Sequence, residues 1–471
     1  MNNESISKYA MIILDLCSLF ATFWISLLII SSMGDINQYI PQNDMEYRIM
    51  IHLLLSCLCV IWFWSRLRHY TYRKPFWFEL KEILRTLLIF SVIDLAMLSL
   101  SKLYISRYVW LFTWLSMLIL VPLVRISFKT FLIKKGIILK DTIIIGGGQN
   151  AIDTYNAIIN ESYLGLNVIY FITDQKSKEL DQLGKPIIFY KNLNHAWENF
   201  QENTQFIIAL EDQDNSKKEI WIRNLTKRKY RFVSIVPSLR GIPLYSTDMS
   251  FLFSYDILLL RLNHNLSKRS SQIIKRIIDI IVSSLLIITL SPLLLVIWLL
   301  ITFDGGNALF SHKRVGKDGN LFSCWKFRTM RKDADKFLEN YLKENPSANV
   351  EWQKERKLRN DPRVTQIGQW IRKTSLDELP QLFNVLYGDM SLVGPRPITN
   401  DELVYYHSSL DYYFMAKPGM TGLWQVSGRN NVSYDQRVYF DSWYVKNWSV
   451  WNDFVILCKT IPAVFKRTGA I

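Results

Sequence analysis

Four apolar stretches crowd the first third of the chain, near positions 9–33, 48–67, 83–104 and 107–128. Each approaches or exceeds the ~20 residues a helix needs to cross a bilayer. In hydrocarbon the backbone must satisfy its own hydrogen bonds, so stretches of this kind form helices. Composition agrees: 49% of the 471 residues are hydrophobic and 14% aromatic, and the 16 Trp suit rings lining a membrane interface. The first stretch lacks a basic leader and a small-residue cleavage site, so it reads as an anchor and not a signal peptide.

Basic residues orient the spans. Arg66, Arg68, Arg73, Lys74, Lys81 and Arg85 fall between the second and third stretches, and Lys129, Lys134, Lys135 and Lys140 follow the fourth. The first connection instead carries Asp35, Asp44 and Glu46 against Arg48. The positive-inside bias places both ends of a four-span bundle, residues 1–135, in the cytoplasm. Asp15 and Asp94 lie within spans, where a charge costs about 2.5–3.5 kcal/mol. No partner cation is evident in the spans, and helix–helix or interfacial contacts are expected of both in preference to a transport path. The formal net charge of +15 points to anionic lipid head groups and phosphorylated substrates, and not to nucleic acid, in a chain this apolar. The five cysteines show neither zinc-ligand spacing nor a disulfide framework, which fits a reducing cytoplasmic side.

From Asp141 the pattern changes. Short β-rich runs at 142–145, 167–172, 186–190, 205–210 and 231–236 alternate with helix-like stretches, which predicts an open parallel α/β sheet over 136–263. The first run ends in Gly146-Gly147-Gly148-Gln149-Asn150-Ala151, and Asp174 follows the second. This resembles a dinucleotide fingerprint, with Ala151, a tolerated variant, in place of its last glycine. The expected domain is Rossmann-like but degenerate, a scaffold or regulatory module that keeps the fold without the cofactor.

The last part, residues 264–471, carries the chemistry. Lys268, Arg269, Lys275 and Arg276 precede an apolar stretch at 277–303 that is long enough to span. Asp279 lies near its start, Ser291-Pro292 interrupts its middle, and its far end runs into Lys313, Arg314 and Lys317. Proline removes a helix hydrogen bond, and basic residues on both flanks put both ends on one side. A bent helix over about 273–303 that enters one leaflet and returns meets all three features; a simple span is the alternative, since proline kinks also occur in true spans. Further on, Ser375-Leu376-Asp377-Glu378 reads as a capping box with Ser375 as N-cap. A helix start there would hold Asp377 ionised and attract phosphate. With Arg372 and Lys373 beside it, this is equipment for phosphoryl transfer.

The ordered strings KRIIDIIVSSLLIITLSPLL, CWKFRTM, RNDPRVTQIGQWIRKTSLDELPQLFNVLYGDMSLVGPRP and KPGMTGLWQVSGRN resemble the bacterial transferases that load a polyprenyl phosphate with a sugar phosphate. The resemblance covers about 268–471, and the whole chain looks like the larger, undecaprenyl-phosphate galactose phosphotransferase type. It implies a monotopic, mostly α catalytic domain with a re-entrant helix, a UDP-sugar donor, undecaprenyl phosphate as acceptor and Mg²⁺ as cofactor. A multi-pass protein of the bacterial inner membrane is implied, its catalytic domain on the cytoplasmic side, acting in O-antigen, capsule or exopolysaccharide synthesis. A homodimer is compatible with this architecture.

Carried over by position, the resemblance makes Asp377 the nucleophile, bearing a covalent phosphosugar, and Glu378 the Mg²⁺ ligand. Lys326, Arg328 and Arg372 would contact phosphate, and Arg396 would contact the donor phosphates or sugar. Pro395 and Pro397 would fix the turn that carries Arg396. Lys275 and Arg276 would sit at head-group level, with Ser291 and Pro292 making the helix break. Asp361, Arg363, Asp389 and Arg429 fall in the same motifs, each equally readable as a structural ion pair or turn residue. The aromatic tail (Tyr439, Trp443, Tyr444, Trp448, Trp451) reads as an amphipathic helix at the interface. Two other classes are a membrane transport component, resting on Asp15 and Asp94, and a nucleotide-sensing regulator, resting on Gly146–Gly148. Neither accounts for the dyad, the Pro-Arg-Pro turn and the interrupted apolar helix together.

Overall fold

The apolar stretches become long helices whose hydroxyls are satisfied within their own turns. Ser18, Thr22 and Ser26 donate to the carbonyls of Asp15, Leu19 and Phe23, at 2.9, 2.6 and 2.7 Å. The computed structural model describes residues 3–465 apart from 102, 104–105, 175–177, 191–196, 198–199, 239–240, 244–246, 253–256, 263–264, 304, 356–357, 359–360 and 428–432. Two compact units divide the chain, Met1–Arg240 and Gly241–Ile471.

The first unit opens with helices α1 (Asn3–Ser31), α2 (Gln42–Ser65), α3 (Phe76–Leu100) and α4 (Arg107–Lys134). All four are long and apolar enough to cross a membrane. Leu19, Leu55, Phe63, Leu87, Trp114 and Val121 pack between them.

Charges buried among these helices correct the expectation that the spans hold no partner cation. Arg48, which reads as part of a loop, lies inside α2 and grips Asp94 with two hydrogen bonds of 2.5 and 2.8 Å, while Trp114 Nε1 donates to the same carboxylate. Arg125 of α4 is wholly buried; it donates to Asp15 at 2.6 Å and to Glu79 at 3.1 Å. Lys129 adds a 2.6 Å bond to Glu79, and Tyr70 donates its hydroxyl to Asp15. Both acids therefore make helix–helix contacts, through cations that lie one or more helices away in sequence.

Five strands follow: β1 (Lys140–Ile145), β2 (Leu166–Thr173), β3 (Ile187–Phe189), β4 (Gln205–Ile208) and β5 (Val233–Ile235). All pair in parallel, in the order β3-β2-β1-β4-β5. Helix α5 (Gln149–Asn160) packs on one face against Ile144 and Phe171. Helix α6 (Asn215–Lys227) covers the other through Trp221 and Leu225, against Ile143 and Phe206. Within this unit the sheet is tied to the long helices. Phe76 N–H donates to Glu161 at 3.1 Å, and the Lys129 ammonium stands 3.9 Å from the Tyr163 ring centre.

The second unit is built on α7 (Arg269–Phe303), also long and apolar enough to span. The helix stays continuous through Ser291-Pro292, the pair at which the sequence places its bend. Pro292 cannot donate to the Ile288 carbonyl, but the Ser291 hydroxyl does so at 2.8 Å and supplies the missing bond. Both flanks of α7 are anchored in one folded body. At the start, Asp279 accepts from Ser391 Oγ and Leu392 N, both at 3.0 Å. Towards the end, Ile297 and Ile301 pack on Ala308, Phe327 and Ile371, while Leu285, Ile288 and Leu295 between the flanks stay exposed.

Ahead of α7 lies an antiparallel pair, β6 (Thr247–Leu252) and β7 (Ile257–Leu262), and the body after it comprises the antiparallel hairpin β8 (Leu309–Val315) and β9 (Leu321–Phe327), helices α8 (Gln366–Lys373) and α9 (Gln381–Tyr387), and a C-terminal pair, α10 (Tyr434–Lys446) and α11 (Val450–Phe465). The aromatic tail is not one interfacial helix. Tyr444 and Trp448 are core residues, and Tyr444 donates to the Val393 carbonyl at 2.9 Å and to Asp453 at 2.7 Å. Tyr439 alone of the two tyrosines faces out, at 60% exposure.

Buried ion networks are costly to break from one side. Arg125→Leu, which strips Asp15 of its cation, is predicted to cost about 3–5 kcal/mol. Thermal unfolding of the full chain in detergent measures this, and an unshifted midpoint would show that the network carries no such weight.

Candidate active site

Strand β9 delivers Lys326, and the α8–α9 connection delivers the two carboxylates. Helix α8 starts at Thr365, whose hydroxyl accepts from Gly368 N at 3.0 Å. Gly368 lies against the Thr329 carbonyl, where a Cβ would come within 2.0 Å, so only glycine lets this helix approach the strand end. After α8 the chain turns at Ser375, which adopts φ +56°, into a single 3₁₀ turn, Leu376–Glu378. The expected capping box is therefore absent. An N-cap needs extended backbone, and the left-handed Ser375 makes no side-chain cap bond. Leu376 and Leu379 turn into the cluster around Ile301 and Ile371, which leaves Asp377 and Glu378 facing β9.

Lys326 Nζ lies 2.6 Å from Glu378 Oε1 and 3.9 Å from Asp377 Oδ2. Asn384 sets this register. Its Oδ1 accepts from Trp325 N at 3.0 Å and its Nδ2 donates to the Ser323 carbonyl at 2.8 Å, fastening α9 to the strand beside Lys326. Sequence reasoning passed over Asn384; a lone polar residue on an apolar helical face was the available signal.

Burial, and then the neighbouring Glu378, push the Asp377 carboxyl up to about 6, against the pull of Lys326 and Arg372. Asp377 thus stays ionised at neutral pH through cations, not through a helix start. Burial disfavours the Lys326 ammonium, but Glu378 outweighs it and holds its pKa above the usual lysine value. Arg372 anchors its Nε on Thr329 Oγ1 at 2.8 Å. Burial lowers its pKa, with the Asp377 carboxylate opposing.

The remaining candidates are dispersed. Arg328 donates to the carbonyls of Gly305 at 2.9 Å and Ile301 at 3.1 Å, closing the end of α7. Lys275 contacts Asp453 at 2.7 Å and the Val393 carbonyl at 3.0 Å. Arg276 holds the carbonyls of Val385 and Leu386, each at 2.6 Å. Both cations are thus engaged within the fold. Between Pro395 and Pro397, Arg396 lies over the Trp424 ring, 5.6 Å from its centre. Asp361 and Arg363 pair with each other at 2.6 Å, and Asp389 accepts weakly from Asn384 at 3.4 Å. Arg429 lies outside the described residues.

The glycine loop of the sheet faces no open phosphate position. At the start of α5, Asn150 N–H donates to Glu211 Oε1 at 2.7 Å, and a Cβ on Gly148 would lie 2.6 Å from that oxygen. Asp174, where a ribose-binding acid belongs in the fingerprint, bonds Lys217 at 2.8 Å.

Residues 270–467 match the family model described as bacterial sugar transferase. The chain is 51% identical to an undecaprenyl-phosphate galactose phosphotransferase of Salmonella typhimurium, over 99% of this chain and 98% of the relative. It is 50% identical to a UDP-galactose-lipid carrier transferase of Erwinia amylovora, over 93% and 91% of the two chains. The exopolysaccharide production protein ExoY of Sinorhizobium fredii is 51% identical over 42% of this chain and 87% of its own length. The chain belongs to the bacterial sugar transferase family.

Proposed function

We propose that this protein transfers a sugar 1-phosphate from a UDP-sugar to undecaprenyl phosphate, releasing UMP. The name of the Salmonella relative makes galactose 1-phosphate the first choice of cargo. The observation that carries the reading is the Asp377–Glu378 pair held against Lys326, with Arg372 acting on the same carboxylate. The Asp377 carboxylate attacks the β-phosphorus; the bond to the UMP oxygen breaks and its electron pair leaves with UMP. A phosphate oxygen of undecaprenyl phosphate then attacks the acyl phosphate, restoring the carboxylate and forming a lipid diphosphate sugar. Lys326 and Arg372 offset charge on the transferring phosphoryl group. The product would open synthesis of O-antigen, capsule or exopolysaccharide.

Mg²⁺ fits the donor set. Glu378 is a hard oxygen ligand with its side chain 41% exposed, and no cluster of three or more metal-ligating side chains occurs among the described residues. Mg²⁺ commonly takes one or two carboxylates and completes its shell with phosphate and water. When bound by Glu378, it would neutralise diphosphate oxygens.

In this reading α7 re-enters the leaflet it leaves, with the transferase module on the cytoplasmic side of the inner membrane. The anchoring of both its flanks in one body supports this. The N-terminal helices would form a four-span bundle. The strand order of the sheet is that of dinucleotide-binding folds, and with Glu211 at the helix start we read it as a Rossmann-like scaffold.

Three outcomes are predicted. Donor alone should give wild type a stoichiometric burst of UMP and a sugar-phosphate adduct on the Asp377 peptide, whereas Asp377→Asn should lose at least ~10³-fold, about 4 kcal/mol of transition-state stabilisation. Transfer to lipid with no label ever reaching protein would exclude the covalent route. The raised Asp377 carboxyl becomes protonated and inert below about pH 6, so turnover should fall towards tenfold per unit on the acid side of that value. A rate flat down to pH 4.5 contradicts this role. Finally, cysteines placed at Lys268 and Lys313 should both resist impermeant labelling in intact cells; labelling from outside at 313 alone would make α7 a fifth span.

A further inference from the structure

At the C-terminal end of α9 two cations converge on a space that no side chain fills. Gly388 follows the helix at φ +103°, and a Cβ there would lie 3.3 Å from Arg276 Nη2 and 3.3 Å from Lys417 Nζ. The two nitrogens therefore stand no more than twice that distance apart. Arg276 spends part of its N–H fork on the Val385 and Leu386 carbonyls, which orient it but carry no net charge. The Lys417 ammonium makes no hydrogen bond or ion pair among the described residues. The acids near it are committed elsewhere: Asp279 accepts from Ser391 and Leu392, and Asp389 from Asn384. Burial, and then the Arg276 charge, hold Lys417 below the usual lysine pKa, with Lys317 adding to the effect. Half-buried like charges this close repel, and an anion between them would offset both.

The surroundings narrow that anion. Directly beyond Arg276, Ile277 and Ile281 of α7 are exposed, and Leu285 and Ile288 continue the apolar surface. The cations thus mark its polar edge. Tyr387, beside Gly388, is exposed as well, and such rings collect at head-group level. A phosphodiester has two charged oxygens that can bridge a guanidinium and an ammonium. It is not the phosphate that Asp377 attacks. Asp377 precedes α9 and Gly388 follows it, and the seven residues of that helix rise about 10 Å.

We propose that Arg276 and Lys417, across Gly388, bind the phosphodiester of an anionic membrane phospholipid, a structural lipid distinct from donor and acceptor. Because Arg276 also holds the last carbonyls of α9, this lipid braces the helix that follows the acidic turn against α7. The site is independent of the transfer reaction and is read through binding and stability.

The test heats the full-length protein in detergent with dioctanoyl-phosphatidylglycerol, dioctanoyl-phosphatidylcholine or inorganic phosphate. Wild type is compared with Lys417→Gln, Lys417→Arg and, as a control for diffuse attraction, Lys268→Gln. Phosphatidylglycerol should raise the unfolding midpoint of wild type, Lys417→Arg and Lys268→Gln by about 3 °C or more, and that of Lys417→Gln by less than half as much. Phosphatidylcholine, whose own choline partners its phosphate, and inorganic phosphate should not shift it. No shift in wild type, or an equal shift in Lys417→Gln, overturns the site. An equal shift with inorganic phosphate overturns the lipid in favour of a free anion, and loss of the shift in Lys268→Gln reduces it to surface charge. The KM of Lys417→Gln for undecaprenyl phosphate should stay within about twofold of wild type; a rise of about tenfold would give these cations to the acceptor instead. Should Lys417→Gln fail to fold, Lys417→Met carries the test, since it keeps an unbranched side chain without the charge.

Discussion

Two adjacent carboxylates in a half-buried turn repel each other, and only a cation facing both lets the pair exist charged. Lys326 is that cation, and much of the second unit serves to hold it there. The hairpin brings it in, Asn384 fixes its register against α9, and Gly368 lets α8 close on the strand end. The electrostatic balance is uneven by design of the turn. Asp377 is the more enclosed carboxylate, with 17% side-chain exposure against 41% for Glu378, so the same neighbours leave one a poised nucleophile and the other accessible.

The first unit handles charge by enclosure. Arg125 serves Asp15 and Glu79 together, and Lys129 reaches from the same acid to the Tyr163 ring of the sheet domain. Such a network joins α1, α3 and α4 to the sheet through polar contacts that hydrophobic packing could not orient. A transport path through Asp15 or Asp94 finds no support in this arrangement, since both acids are buried and paired. The glycine loop follows the same logic: Glu211 takes the place at the α5 N-terminus that an anion would want.

How legible was this in the sequence? Apolar length announced the long helices, and short β-rich runs announced five strands within a few residues of their observed limits, because both signals are local. The dyad and its basic neighbours were visible as a motif. What the sequence hid was pairing at a distance. Arg48 read as loop and Arg125 went unremarked inside the fourth span, yet each neutralises an acid more than forty positions away. Local rules also misled where a neighbour overrode them. Ser375 matched a helix cap but bends the wrong way. Arg328, read as a phosphate contact, spends its charge on the carbonyls at a helix end.

That last contact has a mechanical side. Along β9 and just past it, alternate residues take opposite duties: Lys326 meets the carboxylates, Phe327 enters the apolar cluster and Arg328 clasps the end of α7. One peptide repeat therefore separates the acidic turn from a helix of 35 residues, with no loop between to absorb movement. The same short stretch of chain therefore ties the end of that helix to the acidic turn.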